Sequence, residues 1–182
     1  MSEIEELEFD GVGKLEAFTT SGGTSTLPET MAGKLTNLDY KTIRYPGHCD
    51  MVRPMLEIGL ASRQPVLIGD QKVEPRAVLK AVFEKTLTYG DLDMVLLRVT
   101  CEGTKDGQPR TIVYEMLDRQ DSHSGLTAMM RTTAFPAAIV AWMAAVGQIE
   151  ARGVKPQELV VKPALFLPQL KKRGLNLSIV ES

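Results

Sequence analysis

LEAFTTSGGTSTLPETMAGKLTNLDYKTIRYPG, residues 15–47, is the stretch on which the reading of this chain turns. One contiguous run holds a polar glycine turn (Thr19-Thr20-Ser21-Gly22-Gly23), a helix start (Thr26-Leu27-Pro28-Glu29), a short strand and a Pro-Gly-His corner. Thr26 has the character of an N-cap, with Pro28 just inside the helix and Glu29 at the reciprocal capping-box position. The helix it opens is expected to end near Gly33 or Leu35. Residues 39–45 read as a strand, with Tyr40, Thr42 and Arg44 on one face and Lys41, Ile43 and Tyr45 on the other. Pro46-Gly47 stops that strand. After His48 the apolar residues Met51, Val52, Met55 and Leu56 recur at helical spacing up to Gly59, and Pro54 predicts a kink.

Working outward, residues 5–9 and 14–19 read as two strands around the tight turn Asp10-Gly11-Val12-Gly13. Residues 76–87 form an amphipathic helix, its stripe of Leu79, Phe83 and Leu87 lying beside Val78 and Val82, with Pro75 suited to the first turn. Residues 94–101 and 110–117 are strands, and Asp106-Gly107 between them predicts an antiparallel hairpin. Residues 124–147 read as a long helix, with Pro136 a point for a break. Its uncharged part, within residues 132–149, reads as buried. Residues 163–173 are a further helix ended by Gly174, after a connector or short helix at 153–159, and residues 175–180 a last strand. This order lacks the regular alternation of a parallel α/β sheet. The expected fold is α+β, a mixed, mostly antiparallel sheet with helices packed on one face, in a single domain over residues 1–182.

A formal charge of −2 on 182 residues gives no electrostatic basis for binding nucleic acid or an anionic membrane. The longest run of like charge, Lys171-Lys172-Arg173, suits a helix C-terminus. Two cysteines, Cys49 and Cys101, make neither a disulfide framework nor a metal set, so a reduced, cytoplasmic setting is expected. The acidic start MSEIEELEFD has no apolar region of a signal peptide. Residues 132–149 contain Thr132, Thr133, Pro136, Gly147 and Gln148, and are read as a core helix instead of a membrane span.

The sequence contains no G-x-G-x-x-G, no phosphate loop, no HExxH, no CxxC and no G-x-S-x-G, which leaves metal and nucleophilic catalysis without support. Tyr45 and His48 place a phenol and an imidazole at one strand-to-helix corner, and both move protons. Arg44 beside them and Arg131 ahead of the uncharged helix carry the fork that captures a carboxylate. The turn at Thr20, Ser21, Gly22 and Gly23 lets backbone approach a ligand closely. His123, in a polar loop, carries less weight.

Residues 15–60, and again residues 132–138 with Thr132-Thr133 and Pro136-Ala137-Ala138, resemble the second domain of the saccharopine dehydrogenase family, in its lysine 6-dehydrogenase-like branch. The resemblance implies a substrate-binding and dimerisation domain that works beside an N-terminal Rossmann domain, a unit this chain is expected to lack. In the full enzyme the cofactor is NAD or NADP. Its chemistry is hydride transfer from the amine-bearing carbon of a lysine-derived amino acid to nicotinamide, followed by hydrolysis of the imine. On that reading His48 and Tyr45 are catalytic, and Arg44, Arg131, Thr132 and Thr133 bind the amino-acid substrate. Thr20, Ser21, Gly22 and Gly23 face the cofactor. The chain alone is expected to bind no nucleotide, to be inactive in isolation, and to form a homodimer. The alternative is a free-standing small-molecule-binding or oligomerisation module without catalysis.

Overall fold

Short alternating strands closed by glycine turns build the N-terminal part of the chain. The computed structural model describes residues 1–20, 22–87 and 92–182. The chain divides into two compact units, Met1–Gly90 and Asp91–Ser182.

In the first unit β1 (Ser2–Phe9) and β2 (Gly13–Thr19) pair antiparallel. Gly11 in the turn and Gly13 at the start of β2 take φ of 74° and 94°, a region in which a side chain is strained. Helix α1 (Leu27–Thr30) is shorter than expected. Thr26 does not cap it: at φ −87° and ψ −4° its backbone is already helical, and an N-cap hydroxyl needs the extended conformation to reach back to the first turn. β3 (Lys41–Arg44) completes a sheet of order β1-β2-β3, with Glu16 opposite Arg44 and Phe18 opposite Thr42. Helix α2 (His48–Glu57) follows and runs on past Pro54. β4 (Val66–Ile68) and β5 (Gln71–Val73) form a small hairpin around Gly69-Asp70, and α3 (Pro75–Thr86) ends the unit. The buried apolar residues here are Phe9, Leu15, Ala17, Phe18 and Cys49. Four of them lie on or beside β2, which is covered on both faces from Leu15 to Phe18.

In the second unit β6 (Met94–Lys105) and β7 (Gln108–Arg119) pair residue for residue along their length. Asp106 and Gly107 both have positive φ, 54° and 75°. This is the twist a two-residue hairpin turn requires, and it accounts for the Asp-Gly dipeptide. α4 (Ala128–Ala145) begins later than the sequence suggests. The Asp121 carboxylate accepts from the His123 N–H and the Ser124 hydroxyl, which holds the preceding residues in a turn. The helix continues through Pro136 without a break. α5 (Gln157–Val160), α6 (Pro163–Lys171) and β8 (Ser178–Glu181) complete the unit, with sheet order β6-β7-β8. Met116, Ile139, Met143, Leu170 and Leu175 form the core between sheet and helices.

The fold is α+β and its strand pairs are antiparallel, divided among three sheets in the described residues. One correction concerns α4, which is not buried all round. Only Ala128, Ile139 and Met143 are buried, and Trp142 is 40% exposed. Those three positions fall on a single stripe, since one sheet and one helix reach one side of a helix and no more.

Candidate functional site

The corner between β3 and α2 is built by β2. Glu16 and Phe18 are two apart on that strand and so share a face. The Glu16 carboxylate accepts the N–H of Gly47 at 3.0 Å and that of Cys49 at 2.7 Å. It therefore satisfies two of the amides that the start of α2 leaves without intrahelical partners. The phenyl ring of Phe18 stacks on the imidazole of His48, with centroids 5.7 Å apart and planes 13° from parallel. Gly47, at φ 89°, turns the chain between strand and helix. Two neighbouring side chains of one strand thus hold the corner, one through its backbone and one through its imidazole.

Electrostatics follow from that geometry. The N–H of Cys49 does most to hold the Glu16 carboxyl below its usual range, with the Gly47 N–H adding to it and burial opposing. Burial pushes the Cys49 thiol up, and the Glu16 carboxylate beside it pushes the same way. Cys49 is therefore a packed, inert thiol, not a nucleophile. A cavity of about 240 Å³ opens next to this point, with Glu6, Lys14, Glu16 and Asp50 among its walls.

Tyr45 stands 61% exposed at the corner, while His48 is half-buried beneath Phe18. Arg44 is exposed, and its Nη1 donates to the Ile43 carbonyl at 2.8 Å. Lys41 pairs with Glu5 at 2.8 Å. The Thr20 hydroxyl bonds that of Thr42 at 2.9 Å. Gly23 lies under Tyr40, where an added Cβ would run into the ring. Gly22 has φ 88°, and Ser21 lies outside the described residues. Thr19 is opposite Lys41 and Glu16 is opposite Arg44. The glycine turn and the Tyr45–His48 corner therefore leave from opposite ends of β3, roughly 10 Å apart at 3.3 Å per residue.

The remaining residues singled out in the sequence belong to the second unit. Arg131 is bonded in bidentate fashion to Asp118, Nε at 3.0 Å and Nη2 at 3.2 Å. Asp121 lies 3.7 Å from its Nη1, and its guanidinium stands 5.6 Å above the Phe135 ring. The pairing with Asp118 raises the already high pKa of Arg131. The carboxylate this fork captures in the structure is thus one of the chain's own. Thr132 donates back to the Ala128 carbonyl at 2.8 Å, and Thr133 to the Met129 sulfur at 3.8 Å. Both hydroxyls face their own helix.

Among the carboxylates with structural work that were not singled out in the sequence are Glu16, Asp118 and Asp93. Glu16 carried a signal, being an acid inside the apolar strand run Leu15-Glu16-Ala17-Phe18. Asp118 and Asp93 carried none, because their partners lie 13 and 35 residues away. Asp93 accepts the N–H of Ala128 at 2.7 Å and of Met129 at 2.9 Å, and so closes the start of α4. Among the described residues no group of three His, Cys, Asp or Glu could hold a metal ion, and no helix is long and apolar enough to cross a membrane.

In comparison with known families, residues 1–175 match the saccharopine dehydrogenase C-terminal domain. That span takes in the β2–β3–α2 corner of the first unit and the Asp118–Arg131 pair of the second. The chain belongs to the saccharopine dehydrogenase family, as its C-terminal domain.

Proposed function

We propose that this chain is the substrate-binding and dimerisation domain of an NAD(P)-dependent oxidoreductase acting on the C–N bond of a lysine-derived amino acid, of the saccharopine or lysine dehydrogenase type. The observation that carries the reading is the family match, which runs through both units. Residues 15–60 favour the lysine 6-dehydrogenase-like branch. Tyr45 and His48 are the proton-handling groups. An amine gives up its α-hydrogen only with its nitrogen lone pair free, so a base must first hold the ammonium proton. His48 is held by Phe18 and Tyr45 is open to a ligand, which suits one fixed and one approaching group. Arg44 takes the substrate carboxylate. Arg131, Thr132 and Thr133 contribute indirectly, since Asp118 occupies the Arg131 fork and both hydroxyls are engaged on α4.

A dinucleotide needs a helix N-terminus open to its pyrophosphate. Glu16 already caps α2 and Asp93 caps α4, each with a carboxylate, so neither of these two helix starts is open to a pyrophosphate. The reading assigns NAD or NADP to a Rossmann domain, with the turn at Thr20, Gly22 and Gly23 facing it. A cytoplasmic setting accords with two free cysteines. The apolar side of α4 that its own unit leaves open supports a homodimer.

The test is to titrate lysine, and separately saccharopine, while following the ring resonances of Tyr45 and His48. Saturable shifts of both rings with at least one compound are expected. Silence with both up to about 10 mM, a binding free energy weaker than roughly −3 kcal/mol, overturns the reading.

A further inference from the structure

The sheet edges of this chain are not alike. β1 is an outer strand carrying Glu3, Glu5, Glu6 and Glu8, and its register shifts between Ser2 and Glu5. Charges of one sign and an irregular register both discourage a second strand from adding there. β3 and β8 are outer strands of only 4 residues each. β6 differs on every count. It spans 12 residues, contains no proline, keeps an unbroken register with β7, and no described strand pairs with its other side. From Val99 to Lys105 every residue is exposed, so side chains of both faces meet solvent.

The charges along this edge complement themselves. Arg98 and Glu102 lie two residues to either side of Thr100. When two copies of β6 run antiparallel about a two-fold axis at Thr100, each Arg98 stands opposite the Glu102 of the other copy. Val99 then stands opposite Cys101, and the overlap runs from Val95 to Lys105. Arg98, Thr100 and Glu102 share a face, and Arg98 bonds Glu115 of the neighbouring strand on that face. A guanidinium can bridge two carboxylates, so the second pair adds to the first. Shifting the axis by one residue to Cys101 sets Arg98 against Thr104 and loses both charge pairs.

We infer that the outer edge of β6 is the contact between two copies of this chain, the strands pairing antiparallel about Thr100 into one continuous sheet. A two-fold contact of this kind is self-complementary and closes at two copies, because each copy has a single such edge among the described residues. The inference rests on the homodimer reading given above and adds the β6 edge to the open side of α4 on which that reading drew.

Light scattering and sedimentation on the full chain test it with two variants. Glu102→Lys turns both attractive pairs repulsive and should raise the dimer dissociation constant about tenfold at low salt. That effect should shrink at high salt. Thr100→Cys, made together with Cys101→Ser, should form an interchain disulfide on mild oxidation, since directly opposed residues bring their Cα atoms within disulfide range. Circular dichroism checks that both variants fold. Both responses together support the β6 contact. A dimer that lacks either response overturns it while leaving the homodimer standing. A monomer at all micromolar concentrations overturns both.

Discussion

At the scale of single residues, carboxylates organise both units. Glu16 is 9% exposed and accepts two backbone N–H groups, so Glu16→Ala leaves both amides without their acceptor. The expected loss is about 2 kcal/mol, typical of hydrogen bonds to a buried charged group, and urea denaturation measures it. The same bonds set a pH dependence. The folded carboxyl lies below its ordinary 4.5, so its contribution is present above that value and is lost as pH falls through it toward the folded pKa. Glu16→Gln should therefore flatten the acid limb of stability below roughly pH 5 relative to the parent. An unchanged acid limb would show that Glu16 is not the group being titrated. Arg131 and Asp118 are 11% and 8% exposed at their side chains. Arg131→Ala strands the Asp118 charge and should cost about 3 kcal/mol. If Arg131 instead served the substrate alone, ligand binding would fall with stability intact, and denaturation beside titration separates the two.

Helix starts dominate the behaviour of whole elements. α4 takes its caps from two places: the Thr127 hydroxyl accepts from the Met130 N–H at 3.1 Å, and Asp93 accepts from Ala128 and Met129. The Thr127 cap is local and could be read from the sequence. Asp93 is supplied by the segment entering β6, and only the folded unit reveals it. Asp93→Ala should lower stability by about 1 kcal/mol or more, and amide exchange should rise first at Ala128 and Met129. Equal protection in the variant would mean that Thr127 alone suffices. The β4–β5 hairpin shows a different limit of legibility. Its Gly69-Asp70 turn is a recognised two-residue type, yet three-residue strands are too short to show alternation.

For the whole molecule, a cofactor prediction follows from the lack of a G-x-G-x-x-G fingerprint in the sequence. Calorimetric titration of this chain with NAD or NADP should show no dissociation constant below about 10 μM, near −7 kcal/mol. A tighter value would mean that a pyrophosphate displaces Glu16 or Asp93, or binds elsewhere. The sequence by itself determined the family, the α+β class, the Asp106-Gly107 hairpin and the corner at Tyr45 and His48. These rest on signals that are local in the chain: period, turn chemistry and contiguous motif. Tertiary structure alone decided how the strands divide among sheets, that α4 buries a single stripe, and that Arg131 meets Asp118. It also placed the glycine turn and the Tyr45–His48 corner at opposite ends of β3. The physical reason is that a side chain's partner is set by what the fold brings within about 3 Å, and residues far apart in the chain meet there without leaving a periodic trace.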